Sequence, residues 1–243
     1  MWELLWLEED EPDKCVPRET TSEAKEMVVA KKGPHGLTDS PTIPFICYLA
    51  NNLVTDFVFL SETKCSVCSL ESKFARLGFV KCNGSDNINN KGGMVLDDKD
   101  NETFVTFMYG SPYLREREEV WSNVSLILNV YSGSHLIIGD LNQLENSKQK
   151  LGGRQKIPLG CWFKNWTIKH DLSEITFKGD PFTWTNNREG ENLVLERLDR
   201  AYGNNDWKHR YPEAIVWNFP IFLSDHGPIA LDTNPRKVNR KRP

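Results

Sequence analysis

Leu136-Ile137-Ile138-Gly139-Asp140-Leu141-Asn142 is the stretch on which the fold turns. Its apolar run is short enough to be a strand buried on both faces. Glycine ends the run, a carboxylate follows at once, and Asn142 lies two residues beyond that acid. The same arrangement recurs along the chain. Phe57-Val58-Phe59-Leu60 is followed two residues later by Glu62, residues 193–198 run into Asp199, and Asp225-His226 opens the run into Pro228-Ile229. Each acid taken singly is ordinary, a helix cap, turn former or ion-pair partner. Together they form a pattern.

Strand ends are where a sheet stops pairing its backbone and side chains from several loops can converge. Carboxylates gathered at one edge repel each other unless a cation neutralises them, and oxygen ligands favour a hard ion such as Mg²⁺ or Mn²⁺. A histidine beside an aspartate adds a proton carrier whose orientation or charge a carboxylate can hold. Phosphodiester hydrolysis needs these parts: charge withdrawal from the phosphate, a group to orient or deprotonate water, and donors for the developing negative charge.

Working outward, the spacing of Val120, Val124 and Leu128, with Trp121, predicts a helix over 115–130. Shorter helices are expected over 45–53, 70–77, 163–168 and 201–210. Strands are expected over 27–30, 57–60, 94–96, 104–108, 136–138, 182–184, 193–198, 214–217 and 229–231, with a long polar loop over 142–160. Strands mixed with helices predict an α/β layered fold. One domain over 26–232 is the simplest division, after an irregular acidic leader over 1–25 and before a basic tail over 233–243.

Composition limits the function. The 243 residues are 39% hydrophobic and 11% aromatic, enough for one sizeable core. The net charge is −4, from 30 basic and 34 acidic residues. A polyanionic substrate must therefore be gathered by a local basic surface or a metal, not by the overall field. Cys65 and Cys68 form one Cys-x-x-Cys pair, but no second pair or nearby histidine completes a zinc site, so the six cysteines read as ordinary reduced thiols. No run has the length of a membrane span, and the acidic start lacks the pattern of a secretory signal. An intracellular, soluble protein with no membrane partner is expected. Arg236, Lys237, Arg240, Lys241 and Arg242 leave a nuclear address open, beside the plainer reading of a solvated end.

The motifs in order are residues 56–64 (DFVFLSETK), Tyr109-Gly110, Ile138-Gly139-Asp140-Leu141-Asn142, Gly152-Gly153-Arg154, Pro181-Phe182-Thr183-Trp184-Thr185-Asn186, Glu196-Arg197-Leu198-Asp199-Arg200, and Ser224-Asp225-His226-Gly227-Pro228-Ile229. Together they resemble the endonuclease/exonuclease/phosphatase superfamily, and most of all the endonuclease domain of plant LINE-type non-LTR retrotransposons. The resemblance implies a four-layer α/β sandwich with two facing β-sheets. It makes Glu62 the principal metal ligand, with Asp199 supporting the metal and the catalytic network. Tyr109 would contact the phosphate, Asp140 would orient or activate water, and Asn142 would assist at the phosphate. Asp225 would orient His226, which would bind phosphate or transfer a proton. Mg²⁺ or Mn²⁺ is the implied cofactor and DNA the implied substrate, nicked by a monomer to leave a 3′-hydroxyl.

Two departures keep other readings open. The family's opening Trp-Asn-x-x-Gly segment is matched here by Lys32-Gly33-Pro34-His35-Gly36, so Gly33 stands where the asparagine should be. The stretch from Gly93 to Tyr109 is also short, so some family strands are expected to be missing. A catalytically inactive, retrotransposon-derived remnant, or a domain that only binds nucleic acid or protein, is the alternative to an active endonuclease. A phosphatase of small molecules is a third.

Overall fold

The computed structural model describes residues 4–9, 26–31, 42–53, 57–61, 79–85, 91–98, 101–222 and 224–235. In chain order these form β1 (Leu4–Glu9), β2 (Glu26–Lys31), α1 (Thr42–Leu53), β3 (Phe57–Ser61), β4 (Phe79–Ser85), β5 (Lys91–Asp98) and β6 (Asn101–Tyr109). There follow α2 (Leu114–Val130), β7 (Ser134–Asp140), β8 (Lys150–Leu151), α3 (Gly160–Lys169), β9 (Ser173–Glu174), β10 (Phe177–Gly179) and β11 (Trp184–Thr185). The last elements are β12 (Leu195–Glu196), β13 (Asp199–Gly203), α4 (Asn205–Arg210), β14 (Ile215–Asn218) and β15 (Ile229–Asp232).

The period-2 alternation of these strands builds two sheets around a shared interior. One has seven strands in the order β10-β14-β15-β2-β3-β1-β4, the other five in the order β5-β6-β7-β13-β9. Phe59, Val216, Ile229 and Leu231 of the first pack on Val105, Phe107, Leu136, Ile138 and Ala201 of the second. Phe59 and Phe107 stack across the gap, 4.8 Å between ring centroids. The alternate residues of the five-stranded sheet, Met108, Ile137 and Tyr202, point away from this interior and meet Trp121 and Val124 of α2 and Phe163 and Trp166 of α3. On the other side, α1 joins the parallel pair β2 and β3. Its crossover must lie on the face not filled by the facing sheet, and among its described side chains Ile46 and Leu49 are buried. The result is the expected α/β sandwich of two facing sheets with helices outside. Removing a fully buried side chain from it, as in Ile138→Ala, should destabilise by about 2–5 kcal/mol.

Three local expectations change. The leader was expected to be irregular, yet Leu4–Glu9 pairs antiparallel with both β3 and β4. Its run Leu4-Leu5-Trp6-Leu7 supplies a strand where β3 would otherwise expose unpaired backbone. Ala201 and Tyr202 belong to a fully buried strand, not a helix. The helix starts only at Asn205, where the Asn204 side chain accepts a hydrogen bond from Trp207 N, because a capping residue competes with helix continuation. The polar stretch 142–160 contains β8, which joins a small sheet of order β11-β12-β8. In the short segment before Tyr109, β5 and β6 form one antiparallel ladder from Lys91↔Met108 to Asp98↔Asn101. Gly33, His35, the Cys65–Cys68 pair, the helix expected over 70–77 and the basic run 236–242 lie outside the described residues.

Candidate active site

The register of three neighbouring strands places the expected acids in one row. β6 and β7 are parallel with Tyr109 opposite Asp140, and β7 and β13 are antiparallel with Asp140 opposite Asp199. Side chains alternate faces along each strand, so Tyr109, Asp140 and Asp199 share the face of Phe107, Ile138 and Ala201, the face turned toward the other sheet. His226 approaches from that other sheet, in the loop that leads into β15. The site therefore lies at one end of the gap between the sheets.

Two glycines make the close approach possible. A Cβ on Gly110 would overlap the Leu141 carbonyl oxygen, and Gly139, at φ +139°, would meet the Met108 carbonyl. Gly139 is thus more than a strand terminator: it lets β7 lie against β6 just before the acid. Asn142 takes the left-handed conformation, φ 46°, which asparagine tolerates better than most residues. That turn brings Asn142 back onto Asp140. Its backbone N–H donates to Asp140 Oδ1 at 2.8 Å, and its Nδ2 donates to Asp140 Oδ2 at 3.0 Å and to Gly110 O at 2.8 Å. The Asp140 carboxylate is held in one orientation.

His226 Nδ1 lies 2.8 Å from Asp199 Oδ2. A carboxylate accepts only, so Nδ1 carries the proton and Nε2 is turned to the other acid, 3.9 Å from Asp140 Oδ2. Asp140 is 2% exposed, Asp199 4% and His226 2%. The sequence pointed to Asp225 as the residue orienting His226. The geometry differs: Asp225 receives a 3.4 Å hydrogen bond from Ser224 Oγ, its backbone oxygen accepts from Thr185 N, and the carboxylate on Nδ1 is Asp199. Side chains of adjacent residues in an extended segment diverge, whereas a residue on a neighbouring element can face the ring squarely.

Asp140, Asp199 and His226 can each offer one ligand atom, all within 4.8 Å of one another. Two buried carboxylates against one imidazole make a donor set that suits a divalent cation. Glu62, expected as the first metal ligand, lies outside the described residues; β3 ends at the residue before it.

Behind this row, on the helix side of the sheet, lies a network that the sequence did not single out. Arg200 is almost wholly buried. It donates from Nη1 to Tyr202 Oη at 2.7 Å and from Nη2 to the Gln143 carbonyl, and lies 3.8 Å from Glu145. Tyr202 in turn donates to Glu145, and burial pushes its hydroxyl well above the ordinary tyrosine range. The only signal was spacing: Arg200 and Tyr202 alternate along the strand with the inward positions 199 and 201. Arg117, whose charge burial opposes and Glu196 and Asp140 favour, donates to Ser111 O and Gln143 Oε1. The loop carrying Asn142 is thus pinned from two sides.

Solved structures share this arrangement of sheets and helices. The endonuclease domain of TRAS1, a telomere-specific non-LTR retrotransposon of insect origin, is 10% identical with a TM-score of 0.59, over 88% of this chain and 100% of that one. A 3′–5′ exonuclease, NExo, from Neisseria meningitidis is 14% identical with a TM-score of 0.58, over 85% and 98%. An endonuclease/exonuclease/phosphatase family protein from Bacteroides thetaiotaomicron is 13% identical with a TM-score of 0.52, over 87% and 98%. The chain shares its fold with these three proteins. No protein-family model and no curated protein matches the sequence. At such identities a shared fold speaks for architecture, and activity rests on the site. No helix among the described residues is long and apolar enough to cross a membrane.

Proposed function

We propose that this chain is a divergent endonuclease domain that hydrolyses phosphodiester bonds in DNA. The observation that carries the reading is the buried Asp199–His226 pair, 2.8 Å apart, with Nε2 turned toward an Asp140 carboxylate locked by Asn142. Asp199 keeps the imidazole in one tautomer. His226 can then donate from Nε2 to a phosphate oxygen when protonated, meeting the charge that develops as the phosphorus is attacked. Asp140 orients the attacking water and takes its proton. Asn142 and Tyr109 flank the phosphate, and Asp225 supports the loop that carries His226.

Glu62 and Asp199 are the residues we assign to a Mg²⁺ or Mn²⁺ ion, His226 using only one Asp199 oxygen. Such an ion, when bound, withdraws charge from the phosphate and eases deprotonation of water. The motif order makes plant LINE-type retrotransposon endonucleases kin of this chain in the proposal, with DNA nicked to leave a 3′-hydroxyl. The domain would act as a monomer within the cell, the nucleus included.

One observation favours a second reading. Gly33 stands where the resemblance calls for asparagine, removing one polar group from the phosphate network. A catalytically inactive remnant that binds nucleic acid or protein would tolerate that loss. Nicking of supercoiled plasmid in Mg²⁺ or Mn²⁺ separates the two. Parent protein should nick, and Glu62→Ala and Asp140→Ala should not; a parent that leaves the plasmid closed supports the inactive remnant.

A further inference from the structure

Thr183 lies between β12 and the loop of His226, is 0% exposed, and directs each of its polar groups at a different part of the site. Its backbone N–H donates to Glu196 O at 3.0 Å, and its carbonyl accepts from Gly227 N, next to His226, at 2.8 Å. Its hydroxyl oxygen accepts two backbone hydrogen bonds, from Leu198 N at 3.1 Å and from Asp199 N at 2.9 Å. Successive amides of a regular strand point to opposite sides. Two of them converging on one oxygen mark a kink, and it occurs where the chain leaves the small sheet at Glu196 and enters the five-stranded sheet at Asp199. No ladder can satisfy both amides there, and neither Leu198 nor Asp199 is open to water.

We propose that Thr183 is a positioning residue: its hydroxyl fixes the Asp199 backbone so that the carboxylate meets His226 Nδ1, while its carbonyl fixes the His226 loop. This rests on the hydrolase reading only for its effect on rate; the geometric part stands apart from it. A single residue thereby brackets both members of the pair, Asp199 through its side chain and His226 through its backbone. Losing the hydroxyl leaves two buried amides unpaired and frees the kink to relax. Displacement of the carboxylate by about 1 Å is enough to lower a rate by about a hundredfold.

The variants are Thr183→Val, which keeps shape and deletes the hydroxyl, and Thr183→Ser, which keeps the hydroxyl. Nitrogen-15 NMR of the full chain reads the Nδ1-bound proton of His226 directly, with or without nuclease activity. The parent and Thr183→Ser should show that proton held in a hydrogen bond, and Thr183→Val should lose it or become a tautomer mixture. If the parent nicks DNA, Thr183→Val should lower kcat by about a hundredfold with KM little changed, and Thr183→Ser should stay within a few fold. If Thr183→Val fails to fold, amide exchange in the parent decides: Leu198 and Asp199 should be protected. Rapid exchange of those amides, an unaltered His226 signal in Thr183→Val, or equal loss in Thr183→Ser overturns the proposal. A parent without nuclease activity but with the expected NMR pattern overturns the hydrolase reading alone.

Discussion

Asp140 and Asp199 are direct cross-strand partners on antiparallel strands, one at the end of β7 and the other at the start of β13. Their shared face depends on register: a slip of one residue in either strand would send one carboxylate into the helix layer. Ile138 opposite Ala201, and Ile137 opposite Tyr202, resist that slip because each pair fills a different core.

Asp199→Asn should lower plasmid nicking by about a hundredfold or more, within the range of general acid–base contributions. The amide can present its NH₂ to Nδ1 and favour the opposite tautomer. Initial rates in Mg²⁺ at matched protein concentration measure this. A variant as active as the parent would remove Asp199 from the mechanism.

Mg²⁺ should raise the melting temperature of the parent, since a ligand bound only to the folded state stabilises it by mass action. The rise should shrink in Asp140→Asn and vanish in Asp199→Asn. Chelation should reverse it. Equal shifts in all three proteins would place the cation elsewhere.

Gly139→Ala should destabilise by about 1–3 kcal/mol, the range for a backbone held in a disfavoured region, with further loss from the clash with Met108 O. Urea denaturation gives the value. A midpoint unchanged from the parent would show that β6 and β7 can separate at no cost.

Arg200→Met should destabilise by about 3–5 kcal/mol, as expected when one partner of a buried ionic network is removed. Glu145 and the Gln143 carbonyl would be left without the guanidinium. Adding Glu145→Gln should recover part of the loss, because the uncompensated carboxylate goes with it. A double-mutant cycle with simple additivity would contradict the network.

His170 supplies a pH dependence. Burial, then the charge of Lys169, lowers its pKa below the ordinary 6.5, and its ring meets Ser125 Oγ at 3.0 Å across α2 and α3. The folded state prefers the neutral ring. The associated stability is therefore present above about pH 6.5 and is lost as pH falls through the lowered pKa. Melting temperatures from pH 7.5 to 5.0 should fall less in His170→Asn than in the parent. Parallel profiles would contradict this.

Much of the site was legible along the chain because its signals are local. Leu136-Ile137-Ile138 before Gly139-Asp140, and residues 193–198 before Asp199, are strands ending on acids whatever surrounds them, and the structure gathers Asp140, Asn142, Asp199 and His226 at one point. The strand over 201–203 was less legible. Ala201 is a strong helix former and Tyr202 tolerates either state, so propensity allowed a helix running on to Arg210, and only pairing with β7 decides the strand. β1 was hidden for a similar reason: four apolar residues beside a run of acids become a strand only when β3 and β4 offer both edges.

By itself the sequence determined the α/β class, the order of the apolar runs and which polar residues stand at their ends, since periodicity and turn residues act over a few positions. Only the tertiary structure decided which carboxylate holds His226. Asp225 adjoins it in the chain, yet Asp199 meets Nδ1, because sheet register and the kink before Asp199, held by Thr183, set distances between residues that the chain separates widely. The same holds for Arg200, an ordinary charged residue in the sequence. Its burial behind the site follows from strand alternation in a sheet covered on both faces.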